Sequence, residues 1–420
     1  MANRTPVARN HRPSAYSLLL PGILLAATGV GAGDLLTASL AGSEVGLAVL
    51  WAVLAGAILK WTLSEGIARW QLATGTTLLE GWARQLGSWV HWIFLVYLVL
   101  FTFSSGGALV TACGIAGAGL LPLGDPESSK IIWGIVHSLV GLGLVWLGSF
   151  RLFELVMSVC IGIMFVTVVL TAILIQPDWF AVARGFVPSM PPGGTAWILA
   201  TLGGVGGTVT LLSYGYWIQE EGRRGLKDVR TCRLDLLFSQ AATALFGVAV
   251  VIIGSRVQLE GQGAGIALQL ADQLTQVIGP AGKWIFLIGF WGAVFSSLLG
   301  VWQSLPYMFA DFLELRRSGN SGLRRTTNLR ATKAYRAYLV VIATLPLILL
   351  LSPVRLIQLT YGVIGAMFLP LLGLTLLIMN NRRRWVGTDF LSPKLLNALL
   401  AIALAFFSYV GGAAIYSRLQ

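Results

Sequence analysis

The chain has 420 residues, of which 56% are hydrophobic and only 11% charged, and its mean hydropathy is +0.79. That is too little charge to cover a soluble domain of this size, and it leaves room for many spans of about 20 apolar residues. Net charge is +12, but the basic residues sit in short loops between apolar runs, a pattern that sets membrane topology and argues against nucleic acid as a partner.

Residues 1–14, MANRTPVARNHRPS, are polar and basic. They lack the apolar core and small-residue cleavage site of a signal peptide, so the first apolar run reads as a retained helix. Eleven apolar segments are expected, near 17–39, 45–71, 90–121, 131–148, 152–176, 196–220, 232–254, 282–312, 335–352, 357–380 and 393–417. Each is far longer than the roughly 10 residues of a barrel strand and none alternates strictly, so all are predicted to be helical.

With the N-terminus inside, 22 of the 29 basic residues fall on the inner side. The other seven are Lys60, Lys130, Arg184, Arg256, Lys283, Arg355 and Arg418. This bias predicts a cytoplasmic N-terminus, and an odd number of spans places the C-terminus outside, in a bacterial inner membrane. Residues 177–195, with four prolines, are expected to form an irregular outer loop, and 255–281 a short amphipathic surface helix.

Segment one carries Gly29-Val30-Gly31-Ala32-Gly33-Asp34 and segment six carries Gly203-Gly204-Val205-Gly206-Gly207. Each glycine lowers helix stability by about 1 kcal/mol relative to alanine, so both clusters favour unwinding. Segments one and six are equivalent positions if the chain is two five-helix halves, and paired interruptions of this kind point to a transport site. The competing explanation is close helix packing through glycine. Asp34 follows the first break, and a carboxylate at membrane depth costs about 2.5 kcal/mol or more, so it is expected to serve function or find a partner.

Glu44 is expected at the solvated outer end of the first hairpin. Glu65 and Arg69, four apart on one helix, are expected to pair. His137 is expected to be a packed, hydrogen-bonded residue. Cys113, Cys160 and Cys232 form no CxxC pair and read as small hydrophobes. Beyond its break, segment six offers Thr208, Thr210, Ser213, Tyr214, Tyr216 and Trp217 as cavity-lining candidates, with Trp217 equally suited to an interfacial belt. Glu220 and Glu221 are expected to pair with Arg223 or Arg224. Segment eight adds Ser296, Ser297, Trp302 and Gln303.

In these motifs the chain resembles the NRAMP family of divalent-metal transporters. The likeness rests on PGILLAATGVGAGDLLTASLAGSEVGLAVLW, ARWQLATGTTLLEGW, GGVGGTVTLLS, SSLLGVWQ and LTYGVIGAMFLPLLGLTLLIMNNRR. The resemblance implies an all-α membrane fold of about eleven helices. It is built as a five-plus-five inverted repeat of LeuT type, 17–176 and 196–380, with 393–417 as an extra helix in one transmembrane domain and helices one and six unwound at the centre. It departs at the site. The family's Asp-Pro-Gly-Asn aligns with Gly31, Ala32, Gly33 and Asp34. The sixth-helix carbonyl and methionine fall on Gly207 and Thr210, and the Pro-His after the methionine becomes Leu211-Leu212. The acidic residues of helix three have no counterpart, and a helix-ten glutamine is replaced by Phe368.

The expected carrier therefore works by alternating access, needs no cofactor, and holds a small molecule at Gly31, Gly33, Asp34, Gly207, Thr210, Ser213, Trp217, Ser297 and Gln303. Hydroxyls, an amide and one carboxylate beside aromatic faces suit a neutral polar solute such as a sugar. The alternative is a hydrated divalent cation, Mg2+ or Mn2+, at Asp34 and Thr210. No P-loop motif and no catalytic constellation is present, which argues against a primary pump and an enzyme.

Overall fold

The breaks predicted in segments one and six are present, and the remaining helices are arranged around them. The computed structural model describes residues 15–31, 33–148, 150–204, 207–256, 275, 279–318 and 329–419. Segment one runs as Ala15–Gly29, resumes in a π-helical turn at Gly33–Thr37, and continues as Ala38–Val45. Segments two to five are Leu50–Thr74, Ser88–Leu120, Pro126–Leu147 and Phe150–Leu174. Segment six is Thr195–Gly204, then a 3-10 turn at Val209–Leu212, then Ser213–Glu220. Segments seven and eight are Val229–Ser255 and Pro280–Ser318. Segment nine is Lys333–Thr344 tightening into a 3-10 run at Leu345–Leu351, where Pro346 removes a helix donor. Segment ten is Val354–Ala366 followed by Phe368–Met379, and segment eleven is Lys394–Leu419.

Helix starts follow local chemistry. Asp125 accepts hydrogen bonds from the Glu127 and Ser128 amides, with Pro126 in the first helical turn of segment four. The hydrogen bonds from Ser128 hold the Asp125 carboxyl below its ordinary value. Thr77 and Glu80 form a reciprocal capping box at the short helix Leu78–Gly81.

Among the described residues, eight helical stretches are long and apolar enough to cross a membrane. Outward-facing Val96, Leu100, Val166, Leu356 and Ile402 are exposed, a surface that suits acyl chains and not water. The protein is an integral membrane protein of the LeuT-type architecture. Segment eight packs on segments one, three and five, and segment ten packs on three and six. Segment seven packs on one and two, while segment eleven lies against two and ten.

Glycine packing operates together with helix breaking. A side chain at Gly203 would meet the Gly362 carbonyl, and one at Gly362 would meet the backbone of Ala200. The first half of segment six thus lies backbone to backbone on segment ten.

Several expectations need correction. Residues 177–195 are not wholly irregular: Asp178 caps a short helix, Trp179–Gly185, by accepting from the Phe180 and Ala181 amides. That helix docks on the turn before segment two, and Trp51 Nε1 donates to the Ser189 carbonyl at 3.0 Å. The proline content hid an ordinary Asp N-cap. The surface helix expected within 255–281 falls mostly on residues outside the described ones. Glu44 is not simply solvated; it pairs with Arg355. Lys60 lies inside segment two, as the segment's bounds imply, and is fully buried there.

Glu65 does pair with Arg69, and Arg233 joins the same carboxylate at 3.0 Å. Arg69 Nη1 also donates to the carbonyls of Phe390 and Leu391, anchoring the link to segment eleven. His137 is packed as expected: Trp291 Nε1 donates to its Nε2 at 2.8 Å, leaving Nδ1 to donate to the Trp133 carbonyl. The three cysteines are buried and free.

A valine at Gly203 overpacks a backbone contact and should lower stability by about 2 kcal/mol. Gly143, with nothing close to its missing side chain, should accept valine without loss. Denaturation temperatures of the two purified variants check this contrast.

Candidate functional site

An interrupted helix leaves up to four carbonyls without amide partners, and inside a membrane each needs another donor. Segment eight supplies donors to the first break. Ser297 Oγ donates to the Thr28 carbonyl at 2.7 Å and Ser296 Oγ to the Ala27 carbonyl at 3.2 Å. Gly31 lies against the Ser297 side chain, and its carbonyl accepts from the Leu35 amide at 2.8 Å, so the chain re-enters helix immediately.

The second break centres on Gly207, whose φ of +76° is a left-handed conformation that favours glycine. A side chain there would meet Thr210 Oγ1 and would approach Gly29 Cα to 3.3 Å. The two breaks therefore touch. Thr210 Oγ1, beside the contact, is buried and has no hydrogen-bond partner among the described residues; the same holds for the hydroxyls of Thr208 and Ser213 in the same turn and of Thr28, which faces Gly300 of segment eight. A buried, unpaired polar group costs about 1–3 kcal/mol, so the Thr210 hydroxyl at the contact is chemically suited to polar cargo.

Of the residues expected at the site, Gly31, Gly207, Thr210 and Ser297 come together at the paired breaks. Ser213 begins the second half of segment six, buried next to them. Gly33 and Asp34 open the π-helical turn, but the Asp34 side chain lies outside the described residues. Trp217 is buried, so it is a core residue and not part of an interfacial belt. Gln303 is buried six residues beyond Ser297, about 9 Å along the helix, which sets it apart from the contact. Among the described residues, no group of three or more His, Cys, Asp or Glu side chains could hold a metal.

Sequence reasoning missed Lys60. Its Nζ donates to the Gly203 carbonyl at 3.3 Å, at the end of the first half of segment six. A lone cation in an apolar helix is the signal that could have found it; counting it as a topology marker concealed it.

It also missed two buried carboxylates that hold the second half of segment six. Asp235 on segment seven accepts from Tyr214 Oη at 2.9 Å, Arg223 Nη1 at 3.0 Å and the Gly22 amide at 2.9 Å. Asp311 on segment eight accepts from Tyr216 Oη at 2.8 Å and Thr77 Oγ1 at 3.2 Å. Asp235 thereby ties the first half of segment one to the second half of segment six. Arg223, expected with Arg224 as a partner of Glu220 or Glu221, turns inward and pairs with Asp235. Phe368 stacks on Tyr97 with ring centres 5.1 Å apart, and Tyr97 Oη donates to the Ile364 carbonyl at 2.9 Å, next to the joint in segment ten.

The model of the family described as natural resistance-associated macrophage protein-like matches residues 22–417. A divalent metal cation transporter, MntH, of Deinococcus radiodurans is 24% identical over 297 residues, covering 66% of this chain and 65% of that protein. An uncharacterized protein of Pasteurella multocida is 23% identical over 318 residues, covering 71% of this chain and 66% of that protein. The matches thus span just under two thirds of each relative. A manganese transporter from Eremococcus coleocola shares the fold with a TM-score of 0.75 at 16% identity, over 99% of this chain and 90% of that one. MhsT in complex with L-phenylalanine gives 0.61 at 15% identity, over 96% and 98%.

Replacing Asp235 with alanine leaves the Arg223 guanidinium and the Tyr214 hydroxyl buried without their carboxylate. The loss should be about 3 kcal/mol, against about 1 kcal/mol for Tyr214→Phe, both read from denaturation temperatures.

Proposed function

This chain belongs to the natural resistance-associated macrophage protein-like family, and from that premise we propose that it carries a divalent metal cation across the membrane by alternating access. The observation that carries the reading is the contact of the two helix breaks, Gly29 against Gly207, with the buried, unpartnered hydroxyl of Thr210 beside it. The Deinococcus radiodurans relative, a divalent metal cation transporter, favours a metal cargo. The expectation of a sugar finds no support among the relatives, whereas its alternative, a divalent cation, does.

The donor set determines which cations fit. Thr210 Oγ1, the Asp34 carboxylate and the carbonyls of the two unwound stretches are hard oxygen donors. They suit Mg2+ or Mn2+ that keeps several waters and do not suit a soft ion that wants sulfur. Ser296 and Ser297 hold the Ala27 and Thr28 carbonyls in place, so the donors of the first break are oriented before cargo arrives.

Alternating access then needs one half-helix pair to move. On the topology expected from the basic residues, Gly22, Asp235 and Tyr214 lie towards the cytoplasm. Opening on that side breaks the Gly22–Asp235 and Tyr214–Asp235 hydrogen bonds while the Ser297–Thr28 bond stays intact. A bacterial inner membrane is the expected location.

One observation favours a second reading, a polar organic solute: the ammonium of Lys60 raises the electrostatic cost of a divalent ion close to the second break.

Protein reconstituted into liposomes should take up Mn2+ or Mg2+ down a gradient. Asp34→Ala and Thr210→Val should each reduce that uptake about tenfold, equivalent to losing one interaction of about 1.4 kcal/mol. Uptake of radiolabelled sugar with no flux of either ion would overturn the metal reading in favour of the organic solute.

A further inference from the structure

Segment two presents Gly56 and Lys60 one turn apart, on the same face. Gly56 meets the backbone and side chain of Leu202, which brings segment two close to the first half of segment six. Lys60 is then in reach of the Gly203 carbonyl, and its side chain is completely buried. We infer that the Lys60 ammonium is a tethered cation, seated at the broken end of segment six in the position a co-transported monovalent cation would otherwise fill.

The physical case starts from the half-helix Thr195–Gly204. Its last turn carries the carbonyls that lost amide partners at the break, and the helix dipole makes this end negative. In membrane carriers built on broken helices, such ends and the unwound carbonyls beside them are where small cations bind. Gly203 is also fixed in place, since it lies against the Gly362 carbonyl and the Ala366 amide of segment ten. A rigid, negative, dehydrated carbonyl end is a cation site, and the chain brings its own cation to it. The nearest carboxylate along segment two, Glu65, is engaged by Arg69 and Arg233.

Two consequences follow. A tethered ammonium cannot be released with the cargo, so the break stays neutralised through the whole cycle without sodium or potassium. It also places the ammonium close to the cargo site, which weakens the hold on any second cation there. The inference rests on the broken sixth segment and does not depend on which cargo the carrier moves.

The test uses thermal denaturation of the full chain in detergent, with no divalent metal, so that the metal reading neither helps nor harms it. Wild-type protein should melt at the same temperature in sodium, propylammonium and tetramethylammonium chlorides. Lys60→Ala should melt lower by at least about 3 °C. It should recover more than half of that loss in propylammonium, which restores the deleted N–H donors and charge, or in sodium. Tetramethylammonium, which has no N–H donor and is too large, should give no recovery. Lys60→Met fills the same space without charge; it should melt lower than wild type and respond to no cation. A Lys60→Met protein as stable as wild type would overturn the inference, even if the alanine variant fails to fold. A Lys60→Ala loss that no cation repairs would overturn it equally, and would leave lysine as a packing residue.

Discussion

Every unwound stretch of backbone inside a bilayer must find its hydrogen bonds within the protein, and that constraint organises this molecule. Two helices are broken at depth, and the groups they free are met in different ways. Serines of segment eight take the Ala27 and Thr28 carbonyls. The ammonium of segment two takes the Gly203 carbonyl. The positive φ of Gly207 lets the second break lie against Gly29 with no side chain between them. A smaller joint in segment ten is served in the same way by Tyr97. Once the carbonyls nearest each helix end are occupied, the stretches between them are what cargo can meet.

The same constraint explains where charge is buried. Asp235 and Asp311 each receive a tyrosine hydroxyl from opposite sides of one turn of the same half-helix, and Asp235 also receives a backbone amide from segment one. Lone buried carboxylates would be costly, but hydrogen bonds of this number offset desolvation. The result is a half-helix held at two points by groups that can let go together, as a two-state carrier requires.

Much of this was legible in the sequence because apolar length and glycine clustering are local signals. The eleven segments, the unwound centres of one and six, the Glu65–Arg69 pair and the packed His137 all follow from spacing and composition. The pairs that define the site do not. Asp235 is an ordinary acid near a helix start until the fold places Gly22 and Tyr214 beside it, over 200 residues away in one case. Lys60 was counted with the topology residues because a charge tally has no sense of depth; only the approach of segment six at Gly56 makes it a buried donor. Arg223 was expected at the adjacent acids, and nothing in its local sequence announces its ion pair with the more enclosed Asp235. The preference for a sugar over a cation, which the relatives do not support, rested on the same kind of local signal. Hydroxyls near a break look sugar-like in isolation, but two of them, Ser296 and Ser297, are bound to helix carbonyls and are not facing cargo.

On the proposed metal reading, a hydrated divalent cation would sit between the unwound stretch after Gly29 and the hydroxyl of Thr210. Anomalous diffraction from crystals grown with Mn2+ tests this most directly. The account predicts a single strong anomalous peak within bonding distance of Thr210 Oγ1 and the 30–34 backbone. No peak there, with manganese instead at the Asp235 or Asp311 carboxylates or nowhere in the protein, would contradict it.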